Sequence, residues 1–400
     1  MNSAYIINGI RTPIGNFGGS LSSVRTDDLA AIVLRELMKR NSTVDAKEIT
    51  DVVLGCANQA GEDNRNVSRM ALLLAGLPVS VPGETVNRLC ASGLSASINA
   101  ARQIMVGDAD VIIAGGVENM TRGPWVISKT ATPYGRDAQM YDSSFGWRFV
   151  NPKMKAMYGT DSMGETAENL TQIKPISRED QDAFAYRSQM KAAAAKKKGR
   201  FAKEIIPVEI QNKKITTLFE HDEFMKPETT QEILGKLKPA FKKDGSVTAG
   251  NSSGLNDGAA AILLASENGI KKFNLKPLAK IISSAAVGVE PRIMGIGPVE
   301  AGNRALAKAG LKFSDIDIIE LNEAFAAQCL SCISEWGLKN DDARINPNGG
   351  AIALGHPLGM SGARILLSAA LELHEQNKRY ALVTMCVGVG QGVAAVIEKV

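Results

Sequence analysis

The chain has 400 residues, of which 44% are hydrophobic and 22% are charged, and its formal net charge is +4. These values describe a folded protein with at least two core-bearing units and exclude a disordered or fibrous chain. The weak positive charge argues against nucleic acid as a partner, and the lack of a long apolar run argues against a membrane-spanning helix.

The first part of the chain alternates helical and strand patterns. Apolar residues recur at helical spacing over 29–37, and the apolar run 52–54 predicts a buried strand. A second helix is predicted directly after Cys90, followed by a short buried strand over 111–114 that the glycines at 115–116 close. This rhythm is typical of an α/β protein.

The sequence from 121 to 248 interrupts the rhythm with polar, lysine-rich and proline-punctuated segments, and we interpret it as an insertion. Its segment 174–200 is open to two interpretations. It is either a helical flap with a solvated basic face or a cover that helps to hold a polyanionic ligand.

The last hundred residues return to the α/β rhythm. Helices are predicted around 301–309 and 362–373, and strands are predicted at 315–321 and 381–385. The C-terminal part of the chain therefore predicts the same class of architecture as the N-terminal part.

The two ends of the chain also share a spacing. When their strand patterns are superposed, Cys56 falls on Asn322 and Cys90 falls on His356. This coincidence indicates a duplicated α/β unit that carries reactive groups at equivalent strand-to-helix junctions.

Cys90 lies in VNRLCASGLSA, where a turn of small residues leads directly into the predicted helix. A sulfur near the positive end of a helix dipole has a lowered thiol pKa, so Cys90 is a candidate nucleophile. A buried cysteine that only fills space is the alternative.

His356 lies in the glycine-dense segment NPNGGAIALGHPLGMSGAR, with a proline directly after the imidazole. The chain has three histidines, and the other two, His221 and His374, lie in polar or exposed-looking sequence and are predicted at the surface. His356 is therefore the candidate general base.

Cys386 ends a predicted strand and opens CVGVGQG, whose glycines let backbone N–H groups approach a ligand. A dinucleotide site is disfavoured because too little sequence follows for a βαβ unit. Asn322 and Glu323 follow another strand; Asn322 is a candidate to hold a water or a carbonyl oxygen, and Glu323 a supporting charge.

The other three cysteines have weaker patterns. Cys329 and Cys332 form a CxxC that stands without a second pair or a nearby histidine, so they are predicted to pack within a helix, and Cys56 within the core. An odd number of cysteines without a secretory signal predicts free thiols in a reducing compartment, so we expect a cytoplasmic enzyme.

With these residues in place, the sequence closely resembles the thiolase family, the acetyl-CoA C-acyltransferases, over its whole length. The resemblance rests on motifs in family order, namely RTPIGNFGGSL, VNRLCASGLSA, AGGVENM, GNSSGLNDGAA, MGIGPVEA, NEAFA, NGGAIALGHPLGMSGAR and CVGVGQG.

The resemblance implies the thiolase fold, an α/β architecture of two duplicated five-stranded halves in αβαβα layers with an inserted loop domain. The expected boundaries are 1–120 plus 249–272 for the N-terminal half, 121–248 for the loop domain covering the CoA site, and 273–400 for the C-terminal half. A homo-oligomer, a dimer or tetramer, is also implied.

The resemblance further implies a ping-pong reaction. The Cys90 sulfur would attack the ketone of a 3-oxoacyl-CoA, and His356 with a water on Asn322 would stabilise the thioester oxygen of the departing enolate. Cys386 would protonate the departing carbon, and the backbone N–H groups of Cys90 and Gly388 would meet the oxyanion on the acyl-enzyme.

Substrate contacts are implied in the same way. Ala249 and Ser253 match CoA-contacting positions, and Met163, Met294 and Phe325 match positions that line the acyl pocket. Acyl-CoA and CoA are the implied partners, CoA acts as a substrate, and neither a permanently bound cofactor nor a metal is implied.

Three neighbouring segments, 56–70, 146–163 and 386–392, look like the subgroup that cleaves 3-oxoadipyl-CoA in the degradation of aromatic compounds. An acetoacetyl-CoA thiolase or a thiolase of fatty-acid metabolism is the alternative. Because the 3-oxoadipyl group ends in a carboxylate, Arg148, Lys153 or Lys155 is a candidate partner for it.

The sequence disfavours two other functions. A β-ketoacyl synthase has a nucleophilic cysteine but relies on two histidines or His and Asn, whereas the third reactive group here is Cys386. A scaffold or lipid carrier that lost turnover is disfavoured because all three reactive residues are present.

Overall fold

The computed structural model describes residues 2–212 and 215–400. The strands are β1 (Ala4–Arg11), β2 (Gly15–Asn16), β3 (Val52–Gly55), β4 (Gly83–Val86), β5 (Val111–Asn119), β6 (Trp125–Ile127), β7 (Met140–Asp142), β8 (Val208–Asn212), β9 (Ile215–Phe219), β10 (Asn256–Ala265), β11 (Ala279–Gly288), β12 (Ile318–Leu321), β13 (Tyr380–Val387) and β14 (Gln391–Lys399). The helices are α1 (Thr26–Arg40), α2 (Val67–Leu74), α3 (Ser92–Val106), α4 (Pro152–Tyr158), α5 (Met163–Ile173), α6 (Arg178–Lys197), α7 (Gln231–Gly235), α8 (Glu267–Phe273), α9 (Gly297–Ala309), α10 (Ala326–Glu335), α11 (Ala351–Leu354) and α12 (Leu358–Glu375).

The strand order shows the duplication. The first half runs β4-β3-β5-β10-β1, and the second runs β11-β14-β13-β12 in the mirrored order. In each half a parallel pair, β3 with β5 or β12 with β13, lies beside antiparallel strands. The predicted equivalence of the two ends is therefore confirmed.

The second half departs from the first at its outer edge. The counterpart of β4 is reduced to an isolated parallel bridge between Ile319 and Ile345. The halves also hydrogen-bond to each other, because β1 and β11 pair antiparallel with Ala4 opposite Ile281. Ten of the described strands, with β2 beside β10, thus form one hydrogen-bonded sheet.

The hydrophobic clusters define the layers. One cluster combines α3 and α12 with the inner faces of both halves, including Leu94, Ile262, Leu366 and Val383. A second places α1 and α2 on the outer face of the first half, and a third places α9 and α10 on the outer face of the second. The two halves of the continuous sheet therefore act as two layers, in the order helix, sheet half, helix, sheet half, helix, which confirms the predicted fold class.

The strand predicted to close at two glycines continues through them as β5. A Cβ on Gly115 would lie 2.1 Å from the carbonyl oxygen of Ala260, and one on Gly116 would lie 2.0 Å from that of Gly359. The glycines are present because neighbouring backbone approaches the strand closely, and not because the chain turns there.

The segment 121–248 forms two small hairpins, β6–β7 and β8–β9, together with α4, α5, α6 and α7. The predicted helix within it is confirmed as α6, whose last residues, Lys196 and Lys197, are solvated. The opposite face packs against the second half, and Arg200 beyond it is buried with Glu372 at 2.9 Å. Over the described residues, each helix is too short or too polar to cross a bilayer.

Candidate active site

The N-termini of the two central helices bring the main candidates together. Cys90 lies two residues before α3, and His356 lies two residues before α12. The helices meet at glycines, since a Cβ on Gly93 would lie 2.5 Å from the carbonyl oxygen of Gly359. Two equivalent junctions of the duplicated unit therefore face each other.

Cys90 is half-buried, and the nearby backbone N–H groups of Cys90 and Gly388 act to lower the pKa of its thiol. Burial nevertheless raises the pKa of the thiol to about 11. The prediction of a lowered pKa is therefore wrong: the α-helix starts only at Ser92, and loss of solvent outweighs the N–H donors. The Cys90 side chain is therefore a neutral thiol at pH 7.

The proton on His356 has a defined position. Its Nδ1 lies 2.6 Å from Ser361 Oγ, and that hydroxyl donates to the carbonyl oxygen of Pro357 at 2.8 Å. Ser361 can therefore only accept from the ring, so Nδ1 carries the hydrogen and Nε2 presents a lone pair. Asn322 Nδ2 lies 3.3 Å from Nε2.

The surroundings of His356 disfavour the imidazolium. Burial, and then the charge of Arg364, lower the pKa of His356 to about 3, so the ring is neutral at pH 7. Arg364 is itself 2% exposed, and its nearest carboxylate oxygen, on Glu320, is 3.9 Å away. Burial raises the pKa of Glu320 to about 8, so this carboxyl offsets Arg364 only in part.

Cys386 and Asn322 complete the polar group. Cys386 lies near the end of β13 and is 1% exposed; burial, and then the neighbouring Cys90, raise the pKa of its thiol. Asn322 follows β12 and donates its backbone N–H to Thr384 in β13. Its buried Oδ1 has no hydrogen-bond partner among the described residues.

The predicted acyl-pocket residues form an apolar wall beside Cys386. Met163, Met294 and Phe325 belong with Cys386 to one small hydrophobic cluster. Phe325 also meets the ring of Phe241 edge-on, with centroids 6.0 Å apart. The structure thus brings all three predicted lining residues together.

The predicted CoA-contacting residues lie next to this wall. Ser253 is half-buried and donates its backbone N–H to the carbonyl oxygen of Ala324 at 3.0 Å, directly before Phe325. Ala249 is exposed, farther from the core. Ser253 is therefore the one of the two that is tied to the cluster around Cys386.

The two other histidines lie at the surface as predicted, and the other three cysteines are buried, with Cys329 Sγ at 3.6 Å from the carbonyl oxygen of Asn322. His221 is exposed beside Glu220, and His374 is exposed with its Nε2 at the carbonyl oxygen of Leu278. The remaining cysteines, Cys56, Cys329 and Cys332, are buried free thiols, the last two on α10.

Glu323 follows Asn322 and is buried, and its carboxylate holds neighbouring segments together. Its carboxylate accepts hydrogen bonds from Ser188, Asn346 and the backbone N–H of Ile352. It therefore joins α6 of the inserted segment to the loop that leads to His356.

Sequence reasoning missed three supporting residues. Ser361 binds the imidazole, Asn256 accepts the backbone N–H of His356 at 2.9 Å, and Glu118 accepts those of Ala57, Asn58 and Gly359. A carboxylate inside an apolar strand, as in AGGVENM, is a signal that could have found Glu118. Asn256 and Ser361 carry no comparable signal.

The duplicated α/β fold, together with a site that combines a thiol, a neutral imidazole and a second thiol, indicates an enzyme of acyl transfer. Residues 4–268 match the family model "Thiolase, N-terminal domain", and residues 275–399 match "Thiolase, C-terminal domain". The chain therefore belongs to the thiolase family and is an acyltransferase.

Individual relatives are similar over their full lengths. The chain is 60% identical to the 3-oxoadipyl-CoA/3-oxo-5,6-dehydrosuberyl-CoA thiolase of Escherichia coli (strain K12) and 56% identical to the beta-ketoadipyl-CoA thiolase of Pseudomonas putida, with 100% of both chains covered in each case. The crystal structure of human mitochondrial 3-ketoacyl-CoA thiolase superposes with a TM-score of 0.93 at 39% identity, covering 100% of this chain and 99% of that chain.

Proposed function

We propose that this thiolase cleaves 3-oxoadipyl-CoA with CoA to give acetyl-CoA and succinyl-CoA, in the breakdown of aromatic compounds. The observation that carries the proposal is the full-length identity of 56–60% to thiolases named for this substrate. The convergence of Cys90, His356 and Cys386 supports the thiolytic chemistry.

The first half-reaction makes the thioester. His356 Nε2 takes the Cys90 proton as the sulfur attacks the C3 ketone, and the bond between C2 and C3 then breaks. The electron pair stays on C2 as the acetyl-CoA enolate, which hydrogen bonds from the protonated His356 and a water held by Asn322 Oδ1 stabilise. Cys386 gives its proton to C2, and acetyl-CoA leaves.

The second half-reaction reverses these roles. Cys386, now a thiolate, takes the proton of an incoming CoA thiol, and the CoA sulfur attacks the acyl carbon on Cys90. The N–H groups of Cys90 and Gly388, which lie at the sulfur, stabilise the oxyanion. When the intermediate collapses, Cys90 recovers its proton from His356 and the acyl-CoA is released.

Acyl-enzyme trapping tests this proposal. The enzyme is mixed with 3-oxoadipyl-CoA without free CoA, and intact mass and peptide mapping follow the label. We expect a succinyl group on Cys90, and none in Cys90→Ala, which is expected to lose thiolysis. If Cys90→Ala keeps CoA-dependent thiolysis, the mechanism is wrong. If kcat/KM of the wild type is no higher for 3-oxoadipyl-CoA than for acetoacetyl-CoA, the proposed substrate is wrong.

We also propose a homotetramer in the cytoplasm. Support for assembly comes from the hairpin β6–β7, where the exposed fractions of Trp125, Ile127 and Met140 are 63–73%. An apolar patch of this kind would be covered by another subunit. Five free thiols fit a reducing compartment. Sedimentation of the wild type against Trp125→Ser with Ile127→Ser tests the assembly, which we expect to weaken.

The domain boundaries follow from the same proposal. We assign 1–120 plus 249–272 to one catalytic half, 273–400 to the other, and 121–248 to a loop domain that covers CoA and its phosphates. A loss of CoA affinity at high salt supports the last assignment, because screening weakens phosphate contacts.

A further inference from the structure

The proposed substrate presents a charge problem. After cleavage, the succinyl group on Cys90 carries its carboxylate three carbon–carbon bonds from the thioester carbon, roughly 4 Å away when extended. A carboxylate inside an apolar pocket is unfavourable without a cation. The partner must therefore lie in the wall of the acyl pocket.

The segment 143–149 is held beside the Cys90 loop at its first end. Asn58 Nδ2 donates to the carbonyl oxygen of Ser143 at 3.2 Å. The neighbouring Ala57 accepts from Asn87 Nδ2 at 3.1 Å, and Asn87 lies three residues before Cys90. These bonds connect Ser143 with the nucleophile loop through two short steps.

The second end is held beside the acyl wall. Trp147 Nε1 donates to the carbonyl oxygen of Asp161 at 3.2 Å, two residues before Met163. The sulfur of Met163 lies 3.7 Å from the point where a Cβ on Gly388 would stand. Gly388 supplies an N–H to Cys90, so this end also leads to the reacting sulfur.

Arg148 directly follows the second of these anchors, Trp147, and is half-buried. Within the described residues, its guanidinium makes one long hydrogen bond, from Nη1 to Ser143 at 3.4 Å, and no ion pair. By contrast, Arg292 next to the same loop is already paired with Asp161 at 2.9 Å. Arg148 therefore retains donors for a carboxylate.

The backbone after Arg148 is unusual. Phe149 adopts a left-handed conformation, with φ of 50°, although it is not glycine. Its ring meets Tyr141 edge-on, with centroids 4.9 Å apart, which helps to hold the conformation. Backbone strain of this kind clusters at active sites and ligand-binding segments.

We propose that Arg148 binds the distal carboxylate of the acyl group and thereby makes the enzyme selective for a dicarboxylic substrate. The inference rests on the proposed function. Lys153 and Lys155, the other candidates, are exposed on α4 and would meet solvent instead of a pocket wall. Arginine is also the better partner, because its planar fork matches a carboxylate.

A matched pair of substrates tests the assignment. 3-Oxoadipyl-CoA and 3-oxohexanoyl-CoA share the six-carbon acyl length and differ in one end group, a carboxylate or a methyl. In Arg148→Met we expect kcat/KM for 3-oxoadipyl-CoA to fall on the order of 10- to 100-fold, with little change for 3-oxohexanoyl-CoA. Arg148→Lys is expected to recover part of the loss.

The outcomes separate the two proposals. A wild type that does not prefer 3-oxoadipyl-CoA overturns the proposed substrate. If the wild type does prefer it, two results for Arg148→Met overturn the role of Arg148 alone. The variant either keeps the preference, or its kcat/KM falls equally for both substrates. Lys153→Met and Lys155→Met are measured in parallel, and a selective loss in either of them, with Arg148→Met unchanged, overturns Arg148 and assigns the carboxylate to that lysine. Thermal midpoints exclude unfolding as the cause.

Discussion

At His356 a serine on the following helix decides which ring nitrogen carries the proton. The Ser361 hydroxyl gives its own hydrogen to Pro357 and therefore accepts from Nδ1. Nε2 is left with a lone pair, and Asn322 lies against it. Because its pKa is lowered to about 3, His356 is a neutral hydrogen-bond acceptor at pH 7.

Removal of that hydroxyl tests the assignment. In Ser361→Ala both tautomers of His356 become populated, so only part of the enzyme has the lone pair on Nε2. We therefore expect kcat to fall about 10- to 100-fold, which is less than the loss expected if general acid–base catalysis were removed altogether. KM is expected to change little. Ser97→Ala is the control, because the Ser97 hydroxyl on α3 also donates to the carbonyl oxygen four residues earlier, that of Gly93. Equal losses of kcat in both variants would contradict a role specific to His356.

The protonation of Cys90 gives a second test. Because burial holds the thiol pKa near 11 and His356 is neutral, the free enzyme contains no preformed thiolate–imidazolium pair. The rate of Cys90 alkylation by iodoacetamide should therefore rise with pH through the range 7 to 10. Peptide mapping measures the rate, with Cys90→Ala as the background. A plateau that begins below pH 7 would disprove the neutral pair.

At the scale of elements, α3 and α12 position the two reactive groups by approaching each other through glycine. Gly93 meets the backbone of Gly359, and a Cβ on Gly362 would lie 2.3 Å from the backbone nitrogen of Leu94. Larger side chains here would separate the helix ends that carry Cys90 and His356.

Gly93→Ala is expected to reduce both stability and turnover. The added methyl requires backbone movement, with a cost of about 1–3 kcal/mol in the free energy of unfolding, and kcat should fall more than KM changes, because the distance between Cys90 and His356 grows. Chemical denaturation and steady-state kinetics measure the two effects. Gly235→Ala on α7, where a Cβ meets open space, is the matched control. Unchanged kcat in Gly93→Ala would refute the positioning role.

At the scale of the whole molecule, buried ion pairs join the inserted segment to both halves. Arg11 of β1 is fully buried between Glu204 and Asp222, both from the inserted segment, at 2.7 Å from each. Arg200 extends the network from Glu204 to Glu372 on α12. Burial by itself raises the pKa of Glu204, but the two arginines outweigh it and hold the pKa below its usual range.

Arg11→Met is expected to destabilise the fold by about 3–5 kcal/mol, because it leaves the buried Asp222 without a cation and Glu204 with Arg200 alone. Urea unfolding at pH 7 measures the loss. Arg379→Met, which breaks an exposed pair with Glu398, should change stability by less than about 1 kcal/mol. If both variants lost a similar free energy of unfolding, burial would not be the reason that the Arg11 pairs stabilise the protein.

The same network sets a pH dependence. A carboxyl with a lowered folded pKa stabilises the protein above its unfolded pKa, about 4.3 for glutamate, and the contribution disappears as pH falls towards the folded value. Wild-type stability should therefore decline from about pH 5 downwards, and Glu204→Gln should flatten part of that decline. An unchanged slope in Glu204→Gln would assign the decline to other groups.

Local patterns were sufficient for much of the fold. The helix after Cys90, the strands around 52–54 and 381–385, and the equivalence of Cys90 with His356 follow from spacing, since amphipathic periodicity and duplication are written in neighbouring residues. The strand at 111–114 was predicted too short, because glycine normally weakens a strand, whereas here it admits the backbone of another segment.

What the sequence by itself determined was the fold class and the family, and it singled out Cys90, His356 and Cys386 as candidates. Only the tertiary structure decided the neutral state of the Cys90 thiol, the tautomer of His356 and the contact of Arg148 with Ser143. The physical reason is that pKa values and hydrogen-bond directions depend on burial and on partners far away in the chain. No local pattern of residues carries that information.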